Sequence, residues 1–144
     1  EQTAFLYAKR LALLGPLIGV ILGVSVSLSS GLLLSIYNVS EEVYRNAVSI
    51  LTIFGLMMPI KIFNMINIVG ILRSGGDAMF SLIIDTTGVW FIAVPLVFVG
   101  GLVLQLPLFI VYLMVNLEEV YKVLLGIKRF LSGKWINNVV KQMA

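Results

Sequence analysis

The sequence predicts an all-α membrane protein: four bent, antiparallel transmembrane helices in up-down order, followed by a C-terminal amphipathic helix. Three observations predict it. The first is composition: 60% of the 144 residues are hydrophobic, 12% are charged, and the mean hydropathy is +1.07. Soluble domains carry about 25% charged residues, so this chain could not clothe a water-soluble fold in a polar shell. The second is run length, since the apolar stretches match the ~20 residues that a helix needs to cross a bilayer. The third is the absence of alternation. Buried backbone in lipid allows only helices or closed barrels, and barrel strands alternate apolar and polar residues.

The first span is expected from about Ala8 to Tyr37, opened by Lys9 and Arg10. Within it Gly15, Gly19, Gly23, Ser27 and Gly31 recur every fourth residue, which places all five on one helix face. Small residues at this spacing let a second helix approach closely in lipid. They serve either general packing or a seam on which helices slide. Asn38 to Arg45 reads as a loop in which Ser40 caps the next helix, with Glu41 and Glu42 in its first turn. The second span is expected from Val43 to Leu72 and the third from Met79 to Val99. Gly100-Gly101 reads as a tight uncharged connection, and the fourth span runs from Leu102 to Ile127.

The chain then changes character. Residues 128–144 hold Lys128, Arg129, Lys134 and Lys141, with Leu131, Trp135, Ile136, Val139 and Val140 at helical spacing. A basic amphipathic helix at headgroup level fits, as does a frayed tail. Each span contains one proline, Pro16, Pro59, Pro95 or Pro107, which bends it for shape or for gating. Lys9, Arg10, Arg73 and the tail cations fall on one side of a four-span bundle. The positive-inside rule makes that side cytoplasmic, both ends included. The chain begins at Glu1 with neither a methionine nor a signal-peptide pattern, and reads as a piece of something longer.

Charges at membrane depth are costly and mark functional candidates. Lys61 precedes Leu72 by 11 residues and Asp85 follows Asp77 by 8, which puts them roughly 16 and 12 Å deep on neighbouring helices. They are expected to face one another, either as a pair locking the hairpin or as part of a water-filled cavity handling protons or substrate. A third option is that Asp85 reaches back to Arg73 as a clamp. Asn64 shares a face with Lys61, and Asn116 lies on a stripe with Gln105, Tyr112 and Glu119. Lys61, Asp85, Asn64 and Asn116 are therefore the pathway candidates. Glu118 and Glu119 are read as lying near the cytoplasmic end, with Lys122 neutralising one of them through the i,i+4 relation, and not as coupling residues.

With no Cys and no His, thiol chemistry, disulfides and imidazole ligands are excluded within these residues. No nucleophile–base pair, metal cluster or Walker lysine is present, so no enzyme activity, metal or cofactor is expected. The net charge of +3 flanks membrane spans and does not form one patch, so nucleic acid is not an expected partner.

Between the second and third spans lies Gly70-Ile-Leu-Arg73-Ser-Gly75-Gly76-Asp77, followed by Asp85-Thr-Thr-Gly88-Val-Trp90 and Val94-Pro95-Leu96. These three motifs in order resemble the second lobe of multidrug and toxic compound extrusion (MATE) transporters. Tyr112 to Lys122 and Arg129 to Trp135 resemble the end of bacterial members, so the likeness covers nearly the whole chain. It implies a twelve-helix antiporter of two six-helix lobes, with residues 1–127 as the last four helices of the C-terminal lobe. It implies export of drugs or cationic and amphipathic metabolites from the cell in exchange for Na⁺ or H⁺, by rocking about a central cavity. It makes the lipid bilayer of the inner membrane, a small-molecule substrate and the N-terminal lobe of the same transporter the partners. Arg73, Gly75, Gly76 and Asp77 become a cytoplasmic hinge turn. Some members carry an acid in the tenth helix as part of a cation site, whereas the second span here has Lys61 and no acid in its interior. Two alternatives carry different expectations: a lipid-linked saccharide flippase would need a strongly cationic cavity, and a non-transporting scaffold would have little use for buried charge.

Overall fold

The computed structural model describes residues 2–136. α1 spans Gln2–Leu34 and α2 spans Glu41–Leu72. α3 spans Ala78–Val103, α4 spans Leu108–Val115 and α5 spans Leu117–Leu131. Three continuous helices among the described residues, Thr3–Leu34, Glu41–Leu72 and Ala78–Val103, are long and apolar enough to cross a bilayer. The protein is an all-α membrane fold, as its composition requires.

α2 is the central element. It packs along α1 and also meets α3, α4 and α5. The small-residue face of α1 is spent on this contact. A Cβ on Gly19 would fall 2.5 Å from Pro59 Cα, one on Gly15 would strike the Ile66 side chain, and Gly23 lies directly on Gly55. The backbones approach this closely because neither side presents a side chain there, the packing route open to helices in lipid. Ser40 caps α2 as expected, accepting a hydrogen bond from Val43 N at 3.4 Å, with Glu41 and Glu42 in the first turn.

α2 ends differently from an ordinary helix. Its last eight residues, Met65–Leu72, are wound as π-helix, and the pattern continues into the turn, where Arg73 N donates to Ile68 O. Such widened turns recur at functional sites. The chain then reverses over Arg73–Asp77. Gly76 adopts φ +96°, a conformation in which a Cβ is strained, so glycine is required at that position. In α3, Pro95 lies in a short α stretch between two π-wound ones, Val89–Ala93 and Phe98–Val103. Loosened winding on both sides accommodates a residue that cannot donate to the ladder.

Two expected boundaries are corrected. Gly100-Gly101 is not a connection. Both residues lie inside α3, and Gly100 gives close room to Met114, whose Sδ would sit 3.2 Å from an added Cβ. The reversal falls at Leu104–Pro107, where Gln105 takes φ +49° and Pro107 sets the start of α4. The fourth expected span is two helices end to end. They meet at Asn116, whose backbone N–H and side-chain Nδ2 both donate to Tyr112 O, at 3.3 and 2.7 Å. α5 then continues through Lys128 and Arg129 to Leu131, and the chain turns at Ser132 and Gly133 (φ +68°). Trp135 is buried in that turn region, while Val139, Val140 and Lys141 of the expected amphipathic helix lie outside the described residues.

The buried core sits at the end of the bundle that carries the Arg73 turn. It joins Ala8 and Ala12 of α1, Ile68, Ile71 and Leu72 of α2, Ile84 of α3, and Phe130 and Trp135. Elsewhere the outer surface is apolar, with Leu28, Ile36 and Phe91 each more than three-quarters exposed. Exposed apolar surface on this scale is what a hydrocarbon solvent requires and water would not tolerate.

A candidate charged cavity between three helices

A cavity of about 180 Å³ opens between α2, α3 and α5, and its polar lining is Lys61, Asn64, Asp85, Glu119 and Lys122. Lys61 and Asn64 stand one helical turn apart on α2. Glu119 projects from the first turn of α5. Lys61 Nζ meets Glu119 Oε1 at 3.0 Å. Asn64 Nδ2 donates to Glu119 Oε2 at 2.8 Å and to the Glu119 carbonyl at 2.9 Å. The carboxylate is thus held on both oxygens, with its side chain only 12% exposed. Buried charge is tolerable only when paired and hydrogen-bonded in this way.

The expected Lys61–Asp85 pair does not form. Asp85 turns the other way, with Oδ2 3.6 Å from Arg73 and Oδ1 3.8 Å from Lys122. The reason is competition. Glu119 reaches Lys61 from α5, and Arg73 is within reach of Asp85 on its own hairpin. Both contacts of Asp85 are longer than hydrogen bonds, so they are Coulombic and leave its carboxylate more loosely held than that of Glu119. Lys122 also pairs with Glu118 at 3.6 Å, the i,i+4 relation expected from the sequence. Gly88 of α3 makes room for it, since a Cβ there would lie 3.1 Å from Lys122 Cε. The cavity is electrically balanced, each cation facing a carboxylate.

Polar atoms around the cavity are not all used. Asn64 Oδ1 and Glu118 Oε2 are buried without a hydrogen-bond partner among the described residues, as are Asn116 Oδ1 and both side-chain polar atoms of Asn67. Asn67 is fully buried against Gly126 of α5. Asn116 is spent on its helix break and does not line the cavity. No group of three or more acidic side chains capable of holding a metal gathers among the described residues.

The Arg73 turn is also built in. Its cation and anion do not pair with each other: Arg73 faces Asp85, and Asp77 is gripped by Arg129 of α5 through Nε at 2.5 Å and an Nη at 3.2 Å. That hydrogen bond raises the Arg129 guanidinium above its already high ordinary pKa. Arg129 also lies over the Phe80 ring at 4.6 Å. Gly75 faces Trp135, which stacks on Phe130 at 5.7 Å and donates from Nε1 to Phe130 O at 2.9 Å. Phe5 of α1 completes the stack, 5.0 Å from Phe130.

Of the four pathway candidates, the structure brings Lys61, Asn64 and Asp85 to one cavity. Glu119, set aside in the sequence reading, is its best-held carboxylate. Its signal was present in the stripe it shares with Asn116 and Tyr112. The α4–α5 junction at Asn116, one turn before it, has no periodic signature.

No curated protein and no solved structure gives a significant match to the chain. The family model MatE matches residues 1–99, which takes in α1, α2, the Arg73 turn and most of α3. With that much of its length matched, and with helices built for a bilayer, the chain belongs to the MatE family of membrane transporters.

Proposed function

We propose that this chain forms part of the C-terminal lobe of a cation-coupled antiporter, driven by H⁺ or Na⁺, that exports drugs or cationic and amphipathic metabolites by alternating access. The observation that carries the reading is the charged cavity where α5 meets α2 and α3, two helices that are each long and apolar enough to span a bilayer. Ionisable groups at such a place mark a substrate or ion pathway. The positive-inside rule puts the Arg73 turn, the N-terminal end of α1 and the segment after α5 in the cytoplasm of a cell whose inner membrane holds the transporter. The N-terminal lobe supplies the other wall of the pathway. The electrical balance of the cavity speaks against a saccharide-phosphate flippase, since Lys61 and Lys122 already face Glu119, Asp85 and Glu118.

The test is uptake of a fluorescent organic cation into inside-out vesicles containing the full-length transporter, under a Na⁺ gradient and a proton gradient imposed separately. Gradient-driven accumulation above that of empty vesicles supports the reading. Equal movement with and without either gradient, across a panel of cationic and amphipathic dyes, refutes it.

A further inference from the structure

Lys61 occupies a position that a mobile cation could otherwise fill. Its ammonium sits 3.0 Å from Glu119 Oε1. Glu119 Oε2 is held by Asn64 Nδ2 at 2.8 Å, both residues line the cavity, and Asn64 Oδ1 is buried without a hydrogen-bond partner among the described residues. A carboxylate and an amide oxygen around a small cavity are the hard oxygen donors that bind small cations. The charge they call for is supplied by the chain itself. Lys122 adds a second ammonium on the same cavity, directed at Asp85 and Glu118. A free metal cation entering here would meet two fixed positive charges and displace one of them from a good contact.

We propose that Lys61 is a tethered counter-cation, an ammonium held at Glu119 in place of a coupling Na⁺, so that this lobe keeps its cavity neutral without taking an ion from solution. Coupling then runs through carboxylates elsewhere in the transporter or through the loosely held Asp85, and not through Glu119. The proposal rests on the exporter reading for its setting, but its central claim concerns ion binding and is measurable without transport.

The corollary is sharp. Removing the ammonium while keeping Glu119 and Asn64 creates a Na⁺ site. The experiment measures thermal unfolding of the purified full-length transporter in mild detergent, with NaCl against choline chloride at equal ionic strength. Four proteins are compared: wild type, Lys61→Met, Glu119→Gln and the double variant. At Na⁺ roughly thirty times its dissociation constant, the folded-to-unfolded ratio rises about 30-fold. Lys61→Met is expected to gain such a Na⁺-specific stabilisation beyond that of wild type. The double variant is expected to lose the gain, and Glu119→Gln alone is expected to leave the wild-type Na⁺ response unchanged. A gain that is absent from Lys61→Met, or that survives in the double variant, overturns the proposal. So does a wild-type Na⁺ response that disappears in Glu119→Gln. Failure of Lys61→Met to fold in high Na⁺ overturns it as well, because the ion should then replace the ammonium. Absence of dye transport alongside the expected stabilisation pattern would instead refute the exporter reading and leave this one standing.

Discussion

Replacing Gly19 with alanine isolates the packing of α1 on α2. The new Cβ would lie 2.5 Å from Pro59 Cα, 2.8 Å from Pro59 N and 3.0 Å from Met58 O. Carbon atoms rest at roughly 3.5–4.0 Å, so the helices must part by about 1 Å or more at this level. All three obstructing atoms are backbone, and Pro59 is ring-locked, so no rotamer change relieves the clash. Overpacking of this kind costs typically 1–3 kcal/mol. The reference is Gly101→Ala in α3, where a Cβ meets nothing within 4 Å. There alanine should gain roughly 0.5–1 kcal/mol through helix propensity. Gly19→Ala gains the same propensity, which cancels in the comparison, so the two variants should differ by the overpacking cost, about 1–3 kcal/mol. The assay is unfolding of the full-length transporter in mixed detergent micelles, followed by far-UV circular dichroism. Equal stability of Gly19→Ala and Gly101→Ala would refute the close backbone approach, and with it the placement of the small-residue face.

Other expectations follow from the charge map and the turn. Asp85→Asn should abolish or strongly reduce export while membrane abundance stays unchanged. The half-exposed contacts of Asp85 are worth no more than about 1 kcal/mol, and unchanged export would remove Asp85 from the pathway. Exchanging Lys61 and Asp85 should not rescue the single variants, whereas exchanging Lys61 and Glu119 should restore abundance at least in part. Detergent-solubilised yield distinguishes the two outcomes. Arg129→Lys should loosen the segment after α5, since an ammonium cannot reproduce the two-pronged grip on Asp77. Faster limited proteolysis of the C-terminal segment and altered Trp fluorescence would report it. Gly76→Ala should cost about 1–3 kcal/mol because φ is +96° there, read out as a lower unfolding midpoint.

Much of the fold was legible because lipid imposes a simple grammar. The long apolar runs of α1, α2 and α3, the Ser40 cap and the four-residue spacing of small residues on α1 each follow from local rules, and each lies where those rules put it. What could not be read were features set by a single contact between distant residues. Gly100-Gly101 looks like a turn in sequence, yet it lies inside α3, with Gly100 packed against Met114. Asn116 looks like one more polar residue on a stripe, yet it sits at the junction where the fourth expected span divides into two helices. The depth argument for Lys61 and Asp85 placed both correctly beside the same cavity. It failed on their partners because α5 brought a closer anion to one, and Arg73 and Lys122 engaged the other.

Phe5, Phe130 and Trp135 bring the beginning of α1 and the chain beyond α5 into one stack beside Gly75. Sliding any of these elements past the others would unstack rings and expose the Trp135 indole, so the stack holds this end of the helices together. At the opposite end of the helices, around residues 35–40 and 104–107, no aromatic stack joins the chain reversals among the described residues, so that end resists separation less.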